Sequence, residues 1–223
     1  MPFFNGTLFD VNKKELMRYA GISPKQDFPL EKVDAALREA MAIAEPKGIW
    51  QRYPYDPEKG VILSDEPMTL EGRAITRHLS SSRAVAVLAV TVGEELERES
   101  ARHFQKGEYI EGLLLDAAAT ASVEHLADQL DRYIQKEAAR EGLKTTWRFS
   151  PGYGDWPVTQ QNAFCRIIRT GEIGLHATDH SMLMPRKSVT AIIGLAACTQ
   201  RPKPEKCRSC SLASCQFRQT GTK

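Results

Sequence analysis

Four of the five cysteines lie close together near the C-terminus, at Cys198, Cys207, Cys210 and Cys215. The last three form the pattern C-x2-C-x4-C in "CRSCSLASC", and two thiolates three residues apart can bind one metal ion or cluster from a single turn. Structural disulfides are rare in cytosolic proteins, and a tail this polar would need a metal to become ordered. The pattern therefore predicts a metal site, for which zinc and an iron–sulfur cluster both fit. The alternative is a disordered tail with incidental thiols.

A second stretch whose residues could bind a ligand is "RFSPGYGDWP", Arg148–Pro157. Its glycines, Gly152 among them, let main chain approach a ligand closely, and its prolines reduce the entropic cost of ordering the loop. Tyr153 and Trp156 offer flat apolar faces with a polar edge, and Arg148 can hold a carboxylate through two parallel hydrogen bonds. The combination suits a ligand with a carboxylate at one end and an aromatic ring at the other, such as a nucleoside that carries an amino acid. The alternative is a rigid turn with a surface arginine.

The remaining reactive residue types form no recognisable catalytic pattern. His176 and His180 are four apart in a predicted strand, where they would lie about 13 Å from each other, so we do not expect them to share a metal. Cys165 lies among apolar residues and is predicted to be core. Asp116 directly follows three leucines, so we expect it to be paired or to lie near a polar site. No nucleophile elbow and no glycine-rich phosphate loop is present.

Charge and hydropathy narrow the class of partner. The net charge is +2, but residues 201–223 carry six lysines and arginines against one glutamate, so the tail is +5 and the rest of the chain −3. A small basic tail favours docking to an acidic protein, and no basic stripe typical of nucleic-acid binding is present. "MPFFNGTLFD" does not resemble a secretory signal, and no stretch approaches the ~20 apolar residues of a membrane span. We expect a cytoplasmic protein that binds neither nucleic acid nor membrane.

The pattern of apolar residues predicts the elements that would position these groups. Helices are predicted from 3.6-residue periodicity, with Asp10 as the cap of the first, at 10–21, 30–46, within 64–82, at 108–140 and at 158–171. Strands are predicted from short apolar or β-branched runs at 48–55, 60–67, 83–93, 143–149, 173–183 and 188–197. The order is mixed, so we predict an α+β fold with a largely antiparallel twisted sheet and flanking helices. Residues 1–197 would form this domain, and 198–223 the cysteine-rich tail.

Two motifs resemble a known family. "RFSPGYGDWP" resembles the R-x-x-P-G-Y signature of the activation (reactivation) domain of cobalamin-dependent methionine synthase. "TDHSMLMPRKSVT" resembles that domain's second hallmark, and "VEHLADQLDRYI" is similar to the helix before the signature. The resemblance covers roughly residues 118–194. The positions of the second hallmark that fit are Thr178, Asp179, Leu183 or Met184, Pro185, Ser188, Val189 and Thr190.

The resemblance implies a fold, a ligand and a reaction. In that family the domain binds S-adenosylmethionine and presents its methyl group to cobalamin that has been oxidised to Co(II), while a flavodoxin-like donor supplies one electron. Carried over, Arg148 would hold the methionine carboxylate, Asp116 is the candidate for its ammonium, and the loop would line the pocket. The cofactor-binding residues expected on this basis are Arg148, Ser150, Pro151, Gly152, Tyr153 and Asp116.

The resemblance also implies partners. A chain without the large synthase modules would act on a separate corrinoid-binding methyltransferase, or on a methionine synthase that lacks its own activation domain. An iron–sulfur centre in the tail would suit electron delivery, and the tail's charge would attract an acidic electron donor. The alternative function is a metal-binding or electron-transfer adaptor that kept the fold and does not bind S-adenosylmethionine. A small-molecule methyltransferase is disfavoured because the dinucleotide-type glycine fingerprint is absent.

Overall fold

The central feature of the fold is an antiparallel sheet. A computed structural model describes residues 2–23 and 27–197. Its sheet runs in the order β4-β3-β2-β5-β9-β6, with β1 beside one end of β2, and every described pair of neighbours is antiparallel. The strands are β1 Phe3–Phe4, β2 Lys47–Asp56, β3 Val61–Ile62, β4 Met68–Thr69, β5 Ala84–Thr91, β6 Lys144–Thr145 and β9 Ser188–Ala196. A separate hairpin pairs β7 His176–Ala177 with β8 Leu183–Met184. The predicted fold class is confirmed.

The sheet is covered on both faces because its middle strand is apolar at nearly every position. From Val85 to Thr91 each residue of β5 is buried. Successive side chains of a strand point to opposite faces, so β5 contributes to two cores. Ala86, Leu88 and Val90 face one core, whereas Val85, Val87 and Ala89 face the other. This double burial is the reason that β5 is a continuous Val/Ala run without polar alternation.

Helices cover the first face. They are α1 Lys13–Tyr19, α2 Leu30–Ile43, α4 Glu95–Gln105 and α5 Tyr109–Arg140. The 32-residue α5 lies across the sheet with a run of buried alanines in its middle, and these small side chains let its backbone approach the strands closely. α5 also lies alongside the sheet-edge strand β6, so its polar face reaches the end of the sheet.

Smaller elements and loops cover the second face. α3 Arg73–His78 and α6 Gln161–Ile167 lie here with the loop between β6 and α6. Trp156 from this loop and Phe164 from α6 are fully buried and pack edge to face, with ring centroids 5.6 Å apart. Such a pair adds specific geometry to the burial of apolar area. The loop predicted to bind a ligand is therefore anchored in a core.

Several local predictions differ from the structure. The stretches 60–67 and 143–149, each predicted as one strand, contain only the short strands β3 Val61–Ile62 and β6 Lys144–Thr145. α4 was not predicted from the sequence, because only Leu96 and Ser100 of its eleven residues are buried. The stretch 173–183, predicted as one strand, is a turn followed by the β7–β8 hairpin. The cap of α1 is Asn12, whose Oδ1 accepts a hydrogen bond from the N–H of Lys14, rather than Asp10. In the described part of the chain, no helix combines the length and apolar character needed to cross a membrane.

Candidate functional site

Arg148 lies between the edge of the sheet and a row of carboxylates on α5. Its Nη2 donates to Oδ1 of Asp128 at 2.6 Å and to Oε2 of Glu124 at 3.3 Å. Its Nε lies 4.0 Å from Oδ2 of Asp131. The Arg148 side chain is 11% exposed, whereas Glu124 and Asp128 remain 36% and 39% exposed. The guanidinium is thus held inside a group of acids that is open to solvent on its outer side.

The geometry of two elements produces this cluster. Glu124 and Asp128 are four apart on α5, so they lie one above the other on one helix face. Arg148 belongs to an extended segment that joins the sheet through one bridge between Phe149 and Ile192. Neighbouring side chains in extended backbone point to opposite sides. Phe149 therefore packs into the second core, and Arg148 points to α5.

The hydrogen bonds of Arg148 leave part of its guanidinium unused. Both of its side-chain hydrogen bonds start from Nη2. Within residues 2–23 and 27–197, no partner is recorded for Nη1, which carries two N–H donors. Nη1 of Arg148 can therefore donate to a further carboxylate while the contacts to α5 stay in place.

The signature loop turns tightly directly after Arg148. The N–H of Tyr153 donates to the C=O of Ser150 at 3.1 Å, and the N–H of Gly152 donates to the C=O of Trp156 at 2.9 Å. Gly152 has φ 92°, a region that L-residues with a side chain rarely adopt, and a Cβ placed there would meet only Val158, at 3.8 Å. The Tyr153 side chain is 62% exposed. The loop thus presents bare main chain and an accessible ring.

Two side chains, Asp155 and Gln160, fasten this loop to the start of α3 and to β4 respectively. The carboxylate of Asp155 accepts hydrogen bonds from the N–H groups of Arg73 and Ala74, both at 2.8 Å. These two main-chain donors lower the pKa of Asp155 below its ordinary value, that of Ala74 having the larger effect. Gln160 accepts from Nε1 of Trp156 at 2.6 Å and donates to the C=O of Thr69 at 2.8 Å. The loop's shape is therefore set by contacts on both sides of its buried tryptophan.

Asp116 lies elsewhere on α5. Its Oδ1 is 2.8 Å from Nζ of Lys187, which also donates to Oγ1 of Thr120 at 2.8 Å. Asp116 is paired, as one of the two sequence-based alternatives has it. It precedes Asp128 by twelve residues, about 18 Å along a helix axis. Residues 150–153 follow Arg148 directly in the chain, whereas Asp116 lies apart from Arg148, with Lys187 as its partner.

The residues of the second hallmark support the neighbouring framework. Oγ1 of Thr178 accepts from the N–H of Met182 at 3.1 Å and closes the turn of the β7–β8 hairpin. Oγ1 of Thr190 accepts from Nε2 of Gln161 at 2.6 Å, which ties α6 to β9. Ser188 donates to Oγ1 of Thr91 at 2.9 Å across the β5–β9 pair. These contacts fix the strand that holds Phe149, and with it Arg148.

The predicted metal ligands Cys198, Cys207, Cys210 and Cys215 lie outside the described residues. Cys165 is buried in the second core, where burial raises the pKa of its thiol. Among the described residues, one group has the spacing of possible metal ligands: Glu39, Glu99 and His103. His103 there bonds through both ring nitrogens to carboxylates, Nδ1 to Glu108 at 2.6 Å and Nε2 to Glu39 at 3.0 Å. This arrangement is that of an ionic clamp between helices.

Sequence reasoning missed Glu124 and Asp128 as members of the site. The available signal was "VEHLADQLD", in which acids recur at four-residue spacing on a helix that is otherwise apolar on one face. That spacing is common on solvated helix faces, so it does not by itself single out a site. Only the position of α5 against the sheet edge shows that this face meets Arg148.

Comparison with known proteins shows similarity in structure alone. No protein-family model matches the sequence, and no curated protein matches it. The structure is similar to a crystal structure of the MetH reactivation domain bound to AdoHcy, with a TM-score of 0.62 at 14% sequence identity. The match covers 91% of this chain and 80% of that chain. The resemblance drawn from the two motifs is thereby confirmed at the level of the fold.

Proposed function

We propose that this chain, which has the fold of the methionine synthase reactivation domain, binds S-adenosylmethionine at the sheet edge and serves to remethylate a corrinoid. The observation that carries the proposal is Arg148, a largely buried guanidinium whose Nη1 has no partner in the described structure, beside two half-exposed carboxylates. The signature loop begins at the next residues. A cationic and an anionic group side by side, with an aromatic loop adjacent, fit an amino acid joined to a nucleoside.

The charged residues at the site match the charges of the ligand's amino-acid head group. In an α-amino acid the carboxylate and the ammonium are attached to one carbon, so their partners must also be neighbours. Arg148 and Asp128 meet this condition, with 2.6 Å between Nη2 and Oδ1. Nη1 of Arg148 would take the carboxylate through charge-assisted hydrogen bonds, and Glu124 or Asp128 would take the ammonium. Within this proposal Glu124 and Asp128 replace Asp116, which lies too far along α5 to share the same head group.

The loop accounts for the remainder of the ligand. β6 and the Phe149 bridge form the edge of the sheet, so no described strand lies beyond them. A ligand held at Arg148 can cross this edge toward Ser150, Pro151 and Gly152, where the missing Cβ leaves space. Tyr153 would face the adenosine, since its exposed ring packs edge to face on Phe149 at 6.3 Å between centroids.

In the proposed reaction, the bonds that form and break are those of the ligand and the corrinoid. One electron reduces Co(II) to Co(I); the Co(I) pair then forms the Co–CH3 bond as the S–CH3 bond breaks and S-adenosylhomocysteine leaves. No proton is transferred, so no general acid or base is required of this chain, which supplies position and charge. The corrinoid would be carried by a separate corrinoid-binding methyltransferase or methionine synthase. The electron would come from a one-electron donor of the flavodoxin class.

The proposal includes a role for the cysteines of the tail in delivering the electron. Cys198, Cys207, Cys210 and Cys215 would bind zinc or an iron–sulfur cluster, and only the cluster could relay an electron. Metal and sulfide analysis of anaerobically purified protein distinguishes the two. Iron with acid-labile sulfide, lost when Cys207 and Cys210 are replaced by serine, is the expected result; zinc alone contradicts the relay.

Calorimetric titration with S-adenosylmethionine tests the binding proposal. The wild-type protein should show saturable binding, and Arg148→Ala should weaken it by roughly 2 kcal/mol or more, the scale of a lost charged hydrogen-bond pair. Arg148→Lys keeps the charge among the carboxylates and should also bind more weakly, because an ammonium lacks the planar fork. Arg140→Ala is the control, since Arg140 is a 74% exposed arginine at the C-terminal end of α5 and pairs with Glu137.

If the protein does not bind S-adenosylmethionine, Arg148 has only a structural role. Arg148 already fastens α5 to the sheet edge through three carboxylates, and an adaptor that kept only this structural role would bind no S-adenosylmethionine. Absence of binding by folded wild-type protein at millimolar ligand contradicts the proposal and favours the adaptor.

A further inference from the structure

The corner between α4 and α5 carries four large apolar side chains that are exposed to solvent. Tyr109 is 68% exposed, Ile110 47%, Leu113 46% and Phe104 41%. Tyr109 and Leu113 are four apart and Ile110 and Leu113 three apart on α5, so they are neighbours on its surface. Phe104 joins them from the end of α4, with its ring centroid 6.4 Å from that of Tyr109. We call these four residues the α4–α5 patch.

A close crossing of the two helices makes the patch continuous. Oγ of Ser100 on α4 donates to the C=O of Gly112 on α5 at 2.9 Å. A Cβ on Gly112 would lie 3.1 Å from Cδ2 and Cε2 of Phe104, so the ring occupies the place of the missing side chain. The next two residues, Leu114 and Leu115, are buried in the first core. The core therefore takes one face of α5, while the patch lies on another.

The patch is separate from the proposed ligand site and from the start of the tail. Asp128 is nineteen residues beyond Tyr109, about 28 Å along the helix axis. The described chain ends at Ala197, next to the pairing of Ala196 with Lys144. That pairing lies just past the other end of α5, whose 32 residues span about 48 Å. A function of the patch is therefore independent of both.

We infer that the α4–α5 patch is a dimer interface and that a second copy of this chain covers it. A full aromatic side chain presents about 150–250 Å², so the exposed fractions leave roughly 350 Å² of apolar side chain in water on each copy. Two copies together would bury roughly 700 Å² of such surface, and roughly 1,200 Å² in all once the polar rim is included. This total reaches the lower end of specific protein interfaces.

The charges beside the patch allow two identical surfaces to meet. Glu111 pairs with Lys32 at 2.7 Å, and Glu108 bonds to Nδ1 of His103 at 2.6 Å. Lys106, in the turn before α5, adds one positive charge for which residues 2–23 and 27–197 record no ion pair. The arginines of α4 pair with its own glutamates: Arg98 with Glu94 and Glu95, and Arg102 with Glu95 and Glu99. A twofold interface brings a surface against itself, so a rim close to neutral favours a second copy over a partner chosen by charge.

Such a dimer would leave the sheet edge at Arg148 accessible. In a twofold contact between two α5 helices, Tyr109 of one copy would lie against Leu113 of the other, and the reverse. The two sheet edges would then lie away from the contact, and each could meet a corrinoid-carrying protein. The inference does not depend on binding of S-adenosylmethionine, because no residue of the patch belongs to the proposed site.

Sedimentation velocity of the full chain tests the dimer. The protein is measured from about 1 to 200 μM, a range that includes the micromolar dissociation constant expected of a small interface. A reductant is present because the five cysteines could cross-link copies. Leu113→Gln is compared with Leu63→Gln, a leucine directly after β3 that is exposed to nearly the same degree, 47% against 46%. Both substitutions are at exposed positions, so both variants should fold, and equal melting temperatures at the lowest concentration check this.

The wild type should pass from monomer to dimer with a dissociation constant on the order of 10 μM. Leu113→Gln should weaken the dimer by at least about tenfold, as truncation at the centre of an interface does, and Leu63→Gln should behave as wild type. A wild type that stays monomeric over the whole range overturns the inference and leaves the patch to another protein or to another segment of the chain. A dimer that Leu113→Gln does not weaken also overturns it, because the contact would then lie elsewhere. Absence of S-adenosylmethionine binding would overturn the proposed function and leave this inference standing.

Discussion

Nη2 of Arg148 lies 2.6 Å from Oδ1 of Asp128, although one residue belongs to the sheet edge and the other to the long helix twenty residues earlier. This contact joins the two elements that the sequence motifs mark separately, the helix "VEHLADQLD" and the loop "RFSPGYGDWP". It also decides which acids stand beside the arginine. Glu124 and Asp128 do so, and Asp116 does not.

Asp116→Asn should leave the affinity for S-adenosylmethionine within about twofold of wild type, because Asp116 pairs with Lys187. Glu124→Gln should weaken binding by about tenfold, the scale of one charge-assisted hydrogen bond. Calorimetry on both variants measures the difference. A large loss of affinity in Asp116→Asn with none in Glu124→Gln would show that Asp116, and not Glu124, binds the ammonium.

Asp155→Ala should loosen the signature loop, since the Asp155 carboxylate accepts hydrogen bonds from two N–H groups at the start of α3. We expect a several-fold loss of affinity for S-adenosylmethionine and faster cleavage by trypsin after Arg73 and Arg77, followed by mass spectrometry. Asp155→Asn keeps one acceptor oxygen, and asparagine is as good a cap as aspartate. It should therefore lie between wild type and Asp155→Ala; equal behaviour of all three proteins would contradict the anchoring role.

The His103 clamp should make stability depend on pH. The hydrogen bonds that His103 donates to Glu39 and, to a lesser degree, to Glu108 raise its pKa in the folded protein. A raised folded-state pKa gives stabilisation that is fully present below the unfolded-state pKa of about 6.5 and is lost as pH rises through the folded-state pKa. The free energy of unfolding of wild type minus that of His103→Gln, from urea titrations, should therefore fall with rising pH above about 6.5.

The subtraction removes other titrations, including that of His125, whose pKa burial lowers. A difference that is flat with pH, or that grows with it, would show that the two carboxylates do not hold a protonated imidazole.

Gly194→Ala should destabilise the sheet edge. A Cβ at this position of β9 would lie 2.2 Å from Oγ of Ser82 and 2.9 Å from Cδ2 of Leu79. Overpacking of this kind costs about 1–3 kcal/mol. Gly171→Ala is the control, because a Cβ there meets nothing within 4 Å and its backbone conformation is an ordinary one. Thermal unfolding of the two variants should differ by several degrees, and equal melting temperatures would contradict the close contact.

Periodicity predicted the parts of the fold that are buried on a regular repeat. β5 and β9 are apolar at nearly every position, and α2 and α5 carry an apolar face, so their types followed from the sequence. α4 was not predicted because arginine–glutamate pairs such as Arg98 with Glu94 cover most of its surface. A helix that buries few side chains leaves little periodic signal.

The sequence predicted the loop of the candidate site but not the acidic residues of α5 that lie opposite Arg148. "RFSPGYGDWP" predicted a stiff loop whose two aromatic rings could face a ligand. The structure has a turn there with Gly152 at positive φ and leaves Tyr153 exposed, but it buries Trp156 in the second core, so the prediction for Trp156 was wrong. The acids opposite Arg148 depend on how α5 crosses the sheet edge, which no local pattern encodes. Long-range pairing of this kind becomes visible only in the folded structure.

The position of the ligand's head group relative to Arg148 can be observed directly. A crystal structure of the protein with S-adenosylmethionine, at the concentration that the titration shows to be saturating, tests it most directly. We expect the methionine carboxylate within hydrogen-bond distance of Nη1 of Arg148, the ammonium against Glu124 or Asp128, and the adenosine beside Tyr153. A ligand bound elsewhere, with Arg148 in contact only with the carboxylates of α5, would contradict it.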